Sequence, residues 1–193
     1  MRTVELFDEL AQRIRRLDSD VRLVAIDGCG GAGKTTFAGR PRSLSGASIV
    51  ATDHFASWDN PTDWWPRMLE EVIDPLAEGR SARYRWYDWD RRTLGDWREV
   101  LPQPVVIIEG VSSSRSEWAD RLAFAVWVEA PPDLRLKRGL ERDGAEAQDA
   151  WVTWMAAEDS YVARDDPLSR VDIVVDGAPT LDHDPEREFV RID

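Results

Sequence analysis

Val21-Arg-Leu-Val-Ala-Ile-Asp-Gly-Cys-Gly-Gly-Ala-Gly-Lys-Thr-Thr-Phe37 runs from a short apolar stretch through a glycine-rich turn into the opening of a helix. Val21 to Ile26 suits a buried strand, and Lys34-Thr-Thr-Phe-Ala38 can begin a helix. Between them, Gly28 to Thr35 fits the pattern G-x-x-x-x-G-K-[ST] without a mismatch. Glycines at Gly28, Gly30, Gly31 and Gly33, with Ala32, let successive backbone N–H groups turn inward and form a nest for phosphate oxygens. Lys34 can reach the outer phosphates, the Thr35 hydroxyl can ligate Mg²⁺, and Thr36 continues the loop into the helix. Only Lys34 and Lys137 are lysines among 25 basic residues, so one of the two stands where a compact ammonium must fit between phosphates. The stretch predicts a nucleoside triphosphate site.

Four further apolar runs extend this unit into a sheet. They are Ala47 to Ala51, Val105 to Ile108, Phe124 to Val128 and Ile173 to Val175. Strands apolar throughout, alternating with helices, predict an α/β fold with a parallel sheet covered on both faces. The expected architecture is a three-layer fold with five parallel strands in the order 2-3-1-4-5 and a helical lid. Helices are expected over residues 3 to 17, from Asn60-Pro61 towards Ala77 with a break near Pro75, over residues 133 to 143, and over residues 148 to 164. Gly39-Arg-Pro41 should stop the helix after the loop, and Glu188 to Ile192 reads as an edge strand. The whole chain, 1 to 193, reads as one domain.

In a parallel sheet, ligands sit beyond the carboxyl ends of the strands. There the sequence has Asp27-Gly28, Asp53 and Glu109-Gly110. Asp53 can accept a proton from a hydroxyl that attacks a γ-phosphate. Its plainer role is that of a turn or helix-cap residue. Glu109 can hold Mg²⁺ directly or through water, or can be a solvated strand-end acid. Arg135, Arg138 and Arg142 share one face of the helix after the fourth core strand. Basic groups there can neutralise charge on a transferring phosphoryl group, with Arg138 and Arg142 as the lid arginines, or form a solvated helix face. Cys29 is read as inert packing.

Composition limits the alternatives. Of 193 residues, 42% are hydrophobic and 32% charged, as in a globular domain. No apolar run approaches the ~18–20 residues of a membrane span, and Met1-Arg-Thr-Val-Glu5 lacks a signal-peptide core. One cysteine and two histidines leave no internal disulfide and little for a zinc site. Net charge −12 weighs against nonspecific nucleic-acid binding. The expected address is the cytoplasm. Many of the ten tryptophans sit among polar residues, including Trp58, Trp64, Trp65, Trp86, Trp89 and Trp97, where they can line a cleft.

Taken in order, these residues resemble the uridine kinase branch of the P-loop kinases, which also holds phosphoribulokinase-like and bacterial pantothenate kinase-like enzymes. The resemblance runs from about Val21 to Gly177. Asp53-His54-Phe55 matches the family's Asp-x-Phe element that carries the catalytic base. Asp59-Asn60-Pro61-Thr62-Asp63-Trp64 matches its segment entering a helix, and Tyr87-Asp88-Trp89 its Tyr-Asp-Phe segment. Glu109-Gly110 matches its strand end, and Arg138 to Asp143 its Arg-x-x-x-Arg-Asp lid. The resemblance implies ATP and Mg²⁺ as cofactors, an acceptor-binding segment over about 54 to 98, and a lid over about 133 to 150. It also implies Asp53, Asp63, Trp64, Tyr87 and Arg92 around the acceptor. Arg92 stands where pyrimidine-recognising members have His, and the Glu-Arg-Gly that follows their Arg-Asp is missing, the sequence reading Asp143-Gly-Ala-Glu146 instead. A permanent cation at Arg92 suits an anionic or acceptor-rich partner better than cytosine.

The leading expectation is a small-molecule kinase whose partners are ATP and a hydroxyl acceptor, with neither nucleic acid nor membrane, and with a homodimer as one option for assembly. The second is an NTP-hydrolysing regulatory switch. It lacks the Asn-Lys-x-Asp guanine signature, which a chain with two lysines has no room to place elsewhere. A catalytically dead nucleotide-binding module is disfavoured by the joint presence of Lys34, Thr35, Asp53 and Glu109.

Overall fold

The computed structural model describes residues 1–40 and 46–193. In chain order it contains strand β1 (Arg2–Leu6), helix α1 (Phe7–Arg15), β2 (Arg22–Asp27), α2 (Lys34–Gly39) and β3 (Ser48–Ala51). Next come α3 (Trp65–Met68), a π-helical turn Leu69–Ile73, α4 (Asp74–Ala77), the hairpin β4 (Ala82–Asp88) and β5 (Thr93–Val100), and β6 (Val105–Glu109). The chain closes with β7 (Leu122–Glu129), α5 (Pro132–Asp143), α6 (Gln148–Asp165), β8 (Ile173–Asp176) and β9 (Glu188–Ile192).

One seven-stranded sheet runs β1-β9-β8-β7-β2-β6-β3. The pairs β3–β6, β6–β2, β2–β7 and β7–β8 are parallel, whereas β8–β9 and β9–β1 are antiparallel. Period-two alternation divides the apolar runs between the two faces. Val105 and Ile107 of β6 pack with Val24 and Ile26 of β2 under α1, whereas Val106 and Ile108 join Leu23 beneath the helix of residues 65–77. Phe7, Phe37 and Phe189 close the first layer, with ring centroids 5.2 to 5.5 Å apart. Because β2, β6 and β7 are buried on both faces, their functional groups can reach solvent only at the strand ends.

Several expectations are corrected. Residues 3 to 17 are not one helix. Arg2–Leu6 is a strand paired antiparallel with β9, and α1 begins at Phe7. Short helical spacing in Val4, Phe7, Leu10 and Ile14 is shared by a strand that runs directly into a helix, and a long-range partner decides between them. That partner also makes β9 an interior strand, not an edge. The helix expected at Asn60-Pro61 begins at Trp65, because the Asn60 side chain accepts the Asp63 N–H (2.8 Å) and closes a turn. Pro75 does not break the helix. Its ring would crowd the carbonyl four residues back, and the wider π turn just upstream relieves this. The β4–β5 hairpin was not foreseen. Pro41 lies outside the described residues. Among these, no helix is long and apolar enough to cross a membrane.

Candidate active site

The ends of β2, β3 and β6 open onto a cavity of about 510 Å³. Its floor is the glycine loop between β2 and α2, with Gly28, Gly31 and Gly33 at φ of 142°, 74° and 106°. Such angles suit glycine alone. Gly31 is also pressed against α5, where a Cβ would stand 2.5 Å from the Arg135 carbonyl oxygen. The loop is fixed from beneath by Asp27, which is fully buried. Its carboxylate accepts hydrogen bonds from the N–H groups of Gly28 (2.7 Å), Ser112 (2.8 Å) and Ser114 (2.9 Å), and from the hydroxyls of Ser114 (2.7 Å) and Tyr161 (3.1 Å). Burial pushes the Asp27 carboxyl upward, against the pull of these donors and of Lys34. Asp27 thus bolts the loop's first glycine to the turn after β6.

Lys34 is buried, and its ammonium donates to the Cys29 carbonyl oxygen at 3.0 Å, so the charge lies over the loop. The Thr35 hydroxyl donates to Glu109 Oε1 at 3.1 Å. Burial raises the Glu109 carboxyl, Lys34 lowers it, and nearby Asp53 raises it further. Two oxygen ligands meeting beside a phosphate nest match what Mg²⁺ takes from proteins, one or two side-chain oxygens with phosphates and water as the rest. Thr35 and Glu109 fit that ion. Cys29 is buried, and its thiol is pushed up to about 12 by burial, as inert packing requires.

Asp53 lies in the short turn Thr52–His54 after β3, exposed, on the cavity wall. The Trp89 indole N–H donates to its carbonyl oxygen (3.0 Å), tying the turn to the β4–β5 hairpin. His54 points away, its Nδ1 2.8 Å from the Tyr84 hydroxyl and its ring stacked on Tyr84. Burial lowers its pKa to about 4.

On the opposite wall, α5 carries Arg138 and Arg142, and they differ. Arg138 spans two elements, donating to the carbonyl oxygens of Gly31 (3.0 Å) and Gly177 (3.0 Å). Arg142 pairs with its neighbour Asp143 (2.7 Å) and lies over the Trp151 ring at 5.5 Å. Arg135 is buried and serves the scaffold, reaching Glu158 Oε2 at 3.0 Å.

Lys34, Thr35, Thr36, Asp53, Glu109, Arg138 and Arg142 therefore share one cavity with Gly30, Gly31 and Gly33. Four residues expected at the acceptor do not line it. Asp63 is exposed in the turn before α3. Trp64 is 5% exposed, packed on Phe55 and Trp118. Tyr87 braces Trp89 edge to face at 5.3 Å. Arg92 is exposed at the hairpin tip with φ 51°, where Asp88 caps the turn by accepting the Asp90 and Arg91 N–H groups. Four tryptophans, Trp58, Trp89, Trp151 and Trp154, line the cavity instead.

Sequence reading missed Glu158. This carboxylate is fully buried and accepts from the Gly30 N–H (2.7 Å), the Trp154 indole N–H (2.7 Å) and Arg135 (3.0 Å). One side chain thereby ties the glycine loop, α5 and the tryptophan wall. A signal was present in the spacing. Trp151, Trp154, Glu158 and Tyr161 share one face of α6, and an acid inside an aromatic stripe needs buried partners.

Comparison with known proteins agrees with this geometry. The solved structure of a possible uridine kinase from Bacillus stearothermophilus superposes with a TM-score of 0.62 at 22% identity, covering 87% of this chain and 96% of that one. The architecture is that of a P-loop kinase. The phosphoribulokinase / uridine kinase family model matches residues 50–183, and the chain belongs to that family. The match begins after the glycine loop, so that loop is separate support. A uridine kinase from Halobacterium salinarum is 30% identical over 141 residues, 64% of this chain and 63% of that protein. A phosphoribulokinase from Synechocystis is 26% identical over 194 residues, covering 89% and 58% respectively. The chain thus spans about three fifths of the length of these relatives.

Proposed function

We propose that this protein transfers the γ-phosphoryl group of Mg-ATP to a hydroxyl group of a small molecule, working in the cytoplasm. One observation carries the reading: Asp53 faces the glycine loop across the same cavity that holds Lys34, the Thr35–Glu109 pair and Arg142. The loop amides and Lys34 hold the phosphates. Thr35 and Glu109 would hold Mg²⁺, which neutralises phosphate charge when bound. Asp53 takes the proton of the attacking hydroxyl, and Arg142 lies where charge develops on the transferring group. The groove beyond Thr36 and Arg138, lined by Gly177 and Pro179, adjoins the loop and offers room for the nucleoside end of ATP.

The regulatory-switch reading has weaker support, because a hydrolase needs no walled acceptor space opposite its phosphate loop. ADP release measured with and without a panel of alcohols separates the two. Acceptor-dependent release is expected, and equal release without any acceptor would favour the switch. Lys34→Ala should abolish Mg-ATP binding by calorimetry or weaken it by about 1.5–3 kcal/mol, the contribution of a charge-assisted phosphate contact.

A further inference from the structure

The tryptophan wall restricts what the acceptor can be, through the hydrogen bonds its indoles have already made. Trp58 lies edge to face with Trp89 (5.7 Å) and Trp154 (5.5 Å), and Trp89 lies 6.0 Å from Trp154. Trp89 gives its N–H to the Asp53 carbonyl (3.0 Å), Trp151 to Asp143 (3.0 Å) and Trp154 to Glu158 (2.7 Å). These three indoles therefore present ring carbon to the cavity and offer no donor. The cations of the cavity are engaged as well. They are Lys34 and Arg138, both bound to the loop, and Arg142, paired with Asp143. Arg142, which lies 5.5 Å from the Trp151 ring, is the cation that touches the indoles, and the carboxylates of Asp143 and Glu158 already hold two of their N–H groups. An anionic acceptor would meet the Asp53 carboxylate and would compete with the phosphates for Lys34, Arg138 and Arg142, each already engaged. A sugar needs partners for several hydroxyls, and the indoles of Trp89, Trp151 and Trp154 offer it none.

Resting on the phosphotransferase reading above, we propose that the acceptor is an uncharged alcohol whose flat aromatic body carries no sugar, stacked on the Trp58–Trp89–Trp154 wall with its hydroxyl directed to Asp53. In the reaction the hydroxyl oxygen bonds to the γ-phosphorus, the bond from that phosphorus to the β–γ bridging oxygen breaks, and the hydroxyl proton passes to Asp53. The products are a phosphate monoester of the aromatic alcohol and ADP. Arg92, exposed at the hairpin tip, does not line this cavity.

The test is calorimetric titration of the full chain, with Mg²⁺ and a non-hydrolysable ATP analogue, using 2-(indol-3-yl)ethanol, uridine and ribose 5-phosphate as probes. The indole alcohol should bind about tenfold more tightly than either of the others. Trp58→Ala should lose about tenfold for it, and Trp58→Phe should recover most of that, as expected for a stacking contact. Three outcomes overturn the proposal: equal or tighter binding of uridine or ribose 5-phosphate, no binding of the indole alcohol, or unchanged affinity in folded Trp58→Ala. The same titrations measure the nucleotide analogue alone. Its failure to bind wild-type protein would refute the phosphotransferase reading itself, whereas nucleotide binding without preference for the aromatic alcohol refutes only the acceptor class.

Discussion

Two adjacent residues, Asp53 and His54, show how one short turn separates chemistry from scaffold. Asp53 faces the cavity and is exposed, so losing its charge should leave the fold intact and act on turnover. With the acceptor in hand, Asp53→Asn should lower kcat by about 10²–10⁴-fold, the usual worth of a general base, with nucleotide Kd nearly unchanged. Steady-state rates beside calorimetry decide it, and turnover within a few-fold of wild type would move the base elsewhere. His54 is held neutral by burial against Tyr84, its pKa lowered to about 4 from 6.5. The unfolded chain therefore takes up a proton that the folded chain refuses as pH falls through 6.5 towards 4, and stability drops across that window. Urea unfolding at pH 7, 5.5 and 4.5 should show this loss, and His54→Asn should flatten it relative to wild type.

Elements meet at the site through close contacts that sequence does not announce. In α5, Gly139 is buried where a Cβ would come within 2.4 Å of the Trp151 ring of α6. Alanine would raise helix propensity by about 0.5–1 kcal/mol. Overpacking a buried contact costs about 1–3 kcal/mol, and it is the larger effect here. Gly139→Ala should therefore lower the urea midpoint, and a stabilised variant would show that α6 shifts freely. The strand–loop–helix of residues 21–38 and the four other core strands were legible because each is a local pattern: an apolar run, a glycine turn or a helix start. β1 and the β4–β5 hairpin were not, because their identity depends on partners far along the chain or on exposed residues whose alternation is weak. Thr93 to Glu99 is mostly exposed, so burial imposes little pattern on β5.

At the scale of the molecule, the residues read from the strand ends share one cavity, and four of those expected around an acceptor do not line it. The glycine loop, Lys34, Thr35, Asp53 and Glu109 sit at strand ends, and the parallel sheet alone brings strand ends together. The tryptophan wall draws on the segment after β3, the hairpin and α6, whose meeting is set by packing across about a hundred residues. The same packing separates Arg138 and Arg142, which share one helix face in sequence. Arg138 joins the loop to the segment after β8 through Gly31 and Gly177, so it supports the assembled ground state. Among the described residues Arg142 pairs with Asp143 and lies over Trp151, and its guanidinium can turn towards the transferring group when phosphate competes for it. Removing a contact made before and during reaction weakens binding, whereas removing one gained only in the transition state lowers kcat. Arg138→Ala should therefore lose nucleotide affinity together with thermal stability. Arg142→Ala should keep both within a few-fold and lower kcat by about tenfold or more. Thermal melts, nucleotide titration and steady-state rates on the two variants test the division, and matching profiles for both would return them to a single role.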